Sequence, residues 1–159
     1  MYFIPAGVWK GRSHPGSYTE WITFDEKIPV KKHARLAAHF NPTKFDARSW
    51  VSIVKSAGMK NVVVTTKRHE GFRMVKSDLT EFDIKDATPF KRDITKELAD
   101  ACREAGHRFG CYYSVDRNWR RPYGPGKEYK QIHGTSPTPK MRISMNTSII
   151  LRHPGLRNF

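Results

Sequence analysis

Two segments of the chain follow one plan: an amphipathic helical pattern, a glycine, and then a β-rich run. That repetition constrains the fold more than any other feature. In the first segment Asp46 is placed as an N-cap. Trp50, Ile53, Val54 and Ala57 recur at i, i+3, i+4 and i+7, which predicts a helix to about Ala57 with that stripe as its apolar face. Gly58 supplies the stop. Asn61 to Thr66 (NVVVTT) then predicts a short strand buried on both faces. In the second segment a helix is predicted from about Asp93 to Ala105, with Ile94, Leu98, Ala101, Cys102 and Ala105 on one side. Gly106 closes it, and Arg108 to Ser114 (RFGCYYS) predicts the next strand. Helix, strand, helix, strand in this order implies right-handed crossovers and parallel strands. The expected fold class is therefore α/β, a partial (β/α) TIM-like barrel made of early strand–helix units only. A complete barrel takes about 250 residues, and this chain has 159.

The other segments carry less pattern. Met1 to Ile28 reads as loop, broken by Pro5, Gly7, Gly11, Pro15 and Gly16. Val30 to Phe40 is expected to form a short helix behind Pro29. Lys67 to about Pro89 reads as a long polar loop. After Trp119 the organisation fails: Arg120 to Pro139 is rich in Pro, Gly and charge, and Met141 to Leu151 is an apolar patch matching no helix. All 15 acidic residues lie at or before Glu128, whereas Tyr129 to Phe159 holds five Lys and Arg and no acid. We therefore divide the chain into residues 1–128, a partial barrel, and 129–159, an irregular basic tail whose composition suggests a shifted reading frame or a truncation. Within that tail Asn146-Thr147-Ser148 fits a glycosylation sequon. Gly124-Pro125-Gly126-Lys127 lacks the spacing of a phosphate loop.

Composition narrows the function classes. A hydrophobic fraction of 38% suits a folded domain. No apolar run approaches the roughly 20 residues needed to span a bilayer, and Met1 to Lys10 lacks the basic-then-apolar order of a signal peptide. Cys102 and Cys111 cannot build a disulfide framework and are expected as two buried thiols, one on a helix and one on a strand. The seven histidines show no metal-ligand spacing. The formal net charge of +14 makes attraction to nucleic acid physically reasonable, although no nucleic-acid-binding module is visible.

Six segments, in order, are similar to glycoside hydrolase family 29, the α-L-fucosidases. They are IPAGVWKG (Ile4 to Gly11), EWI (Glu20 to Ile22), FNPTKFDARSWV (Phe40 to Val51), AGMKNVVVTTKRHEGF (Ala57 to Phe72), ATPFKRDITKELADACREAG (Ala87 to Gly106) and FGCYYS (Phe109 to Ser114). The resemblance implies a barrel glycosidase that acts on terminal α-L-fucose with retention, its partner a fucosylated glycan or oligosaccharide. It implies no cofactor, no metal, no membrane and no nucleic acid. Members of the family are commonly secreted, periplasmic or lysosomal.

The same resemblance assigns residues. Glu20 matches an acid that accepts hydrogen bonds from sugar hydroxyls, and Trp21 presents a flat wall to the fucose methyl. His69 matches the second histidine of the family's Lys-His-His-Asp-Gly motif. Tyr112 matches the first tyrosine of a Tyr-Tyr pair at a strand's C-terminal end, with Tyr113 as the alternative inward ring. Retaining hydrolysis needs two carboxyl groups about 5 Å apart. The family's nucleophile stands in a Trp-x-Asp-like context on a later strand; no residue here matches it, and Asp116 reads as a solvated loop acid. The catalytic assignment is accordingly none. The family's first strand, with its His-Trp-Gly motif, is also not matched. Arg68 replaces the motif's first histidine, Glu70 its aspartate, and Val75 a common aromatic. Two strands without their neighbours would leave unpaired edges, so the isolated chain is expected to fold poorly. Three readings follow: an inactive fucosidase-like chain, a non-catalytic carbohydrate-binding remnant, or a basic nucleic-acid-binding protein.

Overall fold

The structure is a computed structural model that describes residues 8–13, 22–115, 118, 120 and 148–151. Glu20, Trp21 and Asp116 lie outside the described residues, as do the sequon's Asn146 and Thr147 and the tail before it.

The two helix–strand units form as the sequence predicts. The side chain of Asp46 accepts from the backbone N–H groups of Arg48 (2.9 Å) and Ser49 (3.1 Å) and starts α3, Ala47–Ser56. Orphaned first-turn donors are thereby satisfied. Gly58, at φ +71°, carries the chain out of the helix and into β3, Asn61–Lys67. Asp93 caps α4, Ile94–Glu104, by accepting from Lys96 N–H at 2.9 Å. Gly106, at φ +72°, ends it before β4, Arg108–Ser114. β3 and β4 pair in parallel, Asn61 opposite Arg108 through Thr65 opposite Tyr112.

The register then shifts between Thr65 and Lys67, so that Lys67 stands opposite Tyr113. Thr66 is the extra residue, and its hydroxyl donates to the carbonyl of Tyr112 at 3.0 Å. A bulge breaks the alternation of side chains. Thr66 and Lys67 are consequently both buried.

Several expectations need correction. The face of α3 that enters the core is Ala47 and Val51, with Val54 half-buried, whereas Trp50 is 43% and Ile53 66% exposed. Both stripes have helical spacing and share Val54; the one that α3 buries carries the small Ala47. Trp50 keeps an edge-on contact with Phe45 at 5.2 Å between ring centroids. β3 is not buried on both faces either, for Val63 is 61% exposed. Cys102 is buried on α4, but Cys111 on β4 is only half-buried.

The stretch from Lys67 to Pro89 is not simply a polar loop. Phe72, Met74, Phe82 and Ile84 all enter the core, and Phe72 meets Phe82 edge-on at 5.2 Å. Arg73 bridges to Lys67 and to Asp83, while Met74 N–H donates to Thr66 C=O at 2.8 Å. The fully buried Asp83 accepts from the backbone N–H groups of Ser77, Lys85 and Asp86. A buried carboxylate held by three donors is satisfied in place.

The N-terminal stretch also holds structure. β1 (Val8–Trp9) and β2 (Arg12–Ser13) make a hairpin. Its two-residue turn puts Lys10 and Gly11 at φ 51° and 75°, the backbone that matches strand twist. Ile22–Asp25 forms the short α1. The helix expected over Val30 to Phe40 is an α-turn, α2 (Val30–Ala34), continued by a 3₁₀ turn, Arg35–His39. Finally β5, Ser148–Leu151, lies in the tail expected to be irregular and pairs antiparallel with β4. The sheet order is β3-β4-β5.

Candidate functional site

Parallel strands present their C-terminal ends together, and in α/β sheets that edge is where ligands bind. Here the edge gathers Lys67 and the following Arg68–Gly71 from β3 with Tyr112–Ser114 from β4. Successive residues of a strand send their side chains to opposite faces, so the two tyrosines cannot share one role. Tyr113 faces the buried cations. The Lys67 ammonium donates to Ser114 C=O and lies 5.1 Å from the Tyr113 ring centroid, and Arg73 Nε donates to the Tyr113 hydroxyl at 3.1 Å. Lys67 and Arg73 are only 3% and 7% exposed. Tyr113 is thus part of a brace that ties β4 to β3 and to the segment beyond it.

Tyr112 instead meets Arg68, whose guanidinium carbon stands 5.3 Å from its ring centroid. His69 is half-buried in the short turn after β3, and Glu70 is buried beside it. The turn is closed at Gly71, where φ is +86°. A Cβ there would lie 2.5 Å from Asn118 Oδ1 and 3.1 Å from Arg120 Cδ. Only glycine meets both demands. Asn118 Oδ1 accepts from Arg120 N–H, and the Arg120 guanidinium stacks 3.9 Å from the Phe82 ring centroid. Asn118 and Arg120 therefore lie against the turn that carries His69.

Of the sequence-predicted residues, His69 and Tyr112 fall on the C-terminal ends of neighbouring parallel strands, while Glu20 and Trp21 lie outside the described residues. Two features escaped sequence reasoning: the Lys67–Tyr113–Arg73 brace and the contact of Arg68 with Tyr112. The period-two rule does separate the tyrosines, but the bulge at Thr66, which decides which cation meets which ring, has no sequence signature.

Elsewhere seven of the described acids are occupied. Asp46 and Asp93 cap helices and Asp83 closes a turn. Asp86, Glu97, Asp100 and Glu104 form ion pairs with Lys76, Arg92, Lys96 and Arg48. A recess of about 430 Å³ between α3 and α4 is lined by such pairs and by none of the sequence-predicted site residues. Its charges are exposed and already matched, which gives it little to offer a ligand. Among the described residues no group of three or more His, Cys, Asp or Glu side chains could hold a metal ion. No described helix is long and apolar enough to cross a membrane. One histidine is strongly perturbed: His33 on α2 is pushed down to about 4, first by burial and second by the Arg120 charge.

Comparison with known proteins points in one direction. The family model for α-L-fucosidase matches residues 8–143. The Arabidopsis thaliana α-L-fucosidase 1 is 35% identical over 97 residues, which is 59% of this chain and 19% of that protein. The plasma α-L-fucosidase of Homo sapiens is 32% identical over 145 residues, 82% of this chain and 31% of that protein. Among solved structures, unliganded α-L-fucosidase AlfC from Lactobacillus casei aligns with a TM-score of 0.74 and 46% identity, over 78% of this chain and 37% of that one. The same protein in complex with α-L-fucose product aligns with a TM-score of 0.73 and 47% identity, over 76% and 37%. The chain thus spans between 19% and 31% of the length of these curated relatives.

Proposed function

This chain belongs to the α-L-fucosidase family, and from that premise we propose that it carries part of a fucose-binding wall on a partial (β/α) barrel and does not by itself hydrolyse fucosides. The single observation behind this reading is that His69 and Tyr112 stand at the C-terminal ends of adjacent parallel strands. The half-buried imidazole offers a hydrogen-bond partner for a ring hydroxyl, and the Tyr112 ring offers a flat surface for the sugar's apolar face. Glu20 and Trp21 complete the wall in this reading, as acceptor and second flat surface. Residues 1–128 form the sugar-binding part in this reading, with Ser148–Leu151 of the stretch 129–159 paired alongside Tyr112 on β4. Turnover would require a nucleophile and an acid/base about 5 Å apart. The acids at caps, turns and ion pairs are committed elsewhere, and nothing in this sequence matches the nucleophile's Trp-x-Asp context.

The test is a titration of the full chain with α-L-fucose, read by NMR chemical shifts, beside a hydrolysis assay with 4-nitrophenyl α-L-fucopyranoside. Saturable binding of millimolar strength is expected, weakened about tenfold in His69→Ala by loss of one hydrogen bond, with no release of nitrophenol. Absence of saturable shifts would sink the binding reading. Turnover abolished by Asp116→Asn would sink the claim that the chain lacks a nucleophile.

A further inference from the structure

His69, the imidazole of the candidate wall, sits in a tight turn. Gly71 N–H donates to Arg68 C=O at 3.2 Å, so His69 and Glu70 are the two middle residues of a four-residue turn. The entry to that turn is fixed by the pairing of β3 with β4. Its exit leads into Phe72, which is 1% exposed and meets Phe82 edge-on at 5.2 Å. A turn fixed only at its ends can still rock about them, and what stops it is whatever lies against it.

Asn118 and Arg120 supply that stop. The space where a side chain on Gly71 would begin is taken by Asn118 Oδ1, 2.5 Å from an ideal Cβ, and by Arg120 Cδ at 3.1 Å. Asn118 Oδ1 is itself anchored, accepting from Arg120 N–H at 3.1 Å. The Arg120 guanidinium carbon stands 3.9 Å from the Phe82 ring centroid. At that distance the cation lies over the face of the ring, because an approach in the ring plane is held farther off by the ring's edge. Phe82 in turn packs on Phe72, and its carbonyl accepts from Arg73 N–H at 3.2 Å. The contacts close a loop: Arg120 on Phe82, Phe82 on Phe72, Phe72 joined to Gly71, and Gly71 against Asn118 and Arg120.

We propose that Asn118 and Arg120 are positioning residues: with Arg120 seated on Phe82, they hold the turn at Gly71 and so set His69 in place for a sugar hydroxyl. This rests on the fucose-binding reading above and deepens it by adding the residues that preorganise its histidine. A side chain already held in place loses less freedom on binding, and that difference appears as affinity.

The experiment titrates the full chain with methyl α-L-fucopyranoside at pH 7.5 and follows the ring signals of His69 and His107 by NMR. His107 precedes the opposite end of β4, its Nδ1 3.0 Å from Ala105 C=O, and serves as the internal control. At this pH burial, the larger cause of its lowered pKa, keeps His33 neutral with or without the Arg120 charge. Arg120→Gln removes the cation from Phe82, and Asn118→Ala removes the oxygen at Gly71. Asn118 is half-buried and Arg120 exposed, so neither change empties the core. Each should move the His69 signals of the ligand-free chain, leave those of His107 in place, and weaken fucoside binding at least about threefold. Arg120→Lys, which returns a cation to the ring, and Asn118→Asp, which returns the oxygen, should recover most of the affinity. In a His69→Ala background neither Arg120→Gln nor Asn118→Ala should weaken binding further. Unmoved His69 signals, or equal losses of affinity with and without His69, overturn the inference. His107 signals that move as far as those of His69 also overturn it, because the fold as a whole would then have loosened. If the native chain binds no fucoside, the fucose reading falls, and the ligand-free ring signals decide by themselves whether Asn118 and Arg120 hold His69.

Discussion

Lowering the pH from neutral to 5 should cost this fold about 2 kcal/mol through His33 alone. The imidazole is 3% exposed on α2. Burial first, and the Arg120 guanidinium second, lower its pKa from 6.5 to about 4. The folded chain therefore keeps the ring neutral where the unfolded chain binds a proton. The stability tied to that difference is fully present above pH 6.5 and is lost as pH falls toward the folded value near 4. A gap of about 2.5 pH units, at 1.36 kcal/mol each, is worth about 3 kcal/mol in all. About two-thirds of it is gone by pH 5. Against a typical total of about 5–15 kcal/mol that is a large share. The assay is urea unfolding at pH 7.5 and pH 5.0, for the native chain and for His33→Gln, which cannot titrate. The native chain should lose about 2 kcal/mol more than the variant between the two pH values. Titration of the His33 ring by NMR reads the same quantity without any unfolding transition, with a midpoint near 4. Equal losses in both proteins, or a ring midpoint near the ordinary value, would refute the reasoning.

Two further outcomes are expected. Gly71→Ala places a methyl 2.5 Å from Asn118 Oδ1 on a backbone with φ +86°, so it should destabilise the chain by roughly 1–3 kcal/mol in urea melts; a neutral effect would show that the turn after β3 is not held as described. In thiol-reagent kinetics Cys111, half-buried, should react before Cys102, which is 0% exposed. Burial raises both thiol pKa values and slows both reactions, and Cys102 reacting first would contradict the packing of α4.

The helix–strand units were legible because their punctuation is local: an aspartate cap, a glycine stop and a β-branched run each act within a few residues. Facing is not local. Trp50 and Ile53 have the helical spacing that predicts a core face, yet the residues of α3 that enter the core are Ala47 and Val51. Phe72, Met74, Phe82 and Ile84 were hidden in a stretch read as polar. Their burial depends on turns built around Asp83 and on bridges through Arg73, not on any period. At the candidate site, the family motif marked His69 and Tyr112. The position of Arg68 over Tyr112 follows from the register shift at Thr66, which only the paired strands display.

The antiparallel seat of β5 on β4 gives the sheet a direction of growth. A parallel sheet is ordinarily extended at either margin by another strand of the same sense. Here Ser148–Leu151 takes up the far side of β4 from Cys111 to Ser114 in the opposite sense. A newcomer running parallel to β4 would have to displace those four residues. Along Asn61–Thr65, by contrast, the order β3-β4-β5 among the described residues leaves the outer margin of β3 without a ladder partner, Arg73 and Met74 taking up only its end at Thr66 and Lys67, and exposed Val63 flanks it. The place beside β4 for a parallel strand is therefore taken, and among the described residues the open parallel margin is that of β3.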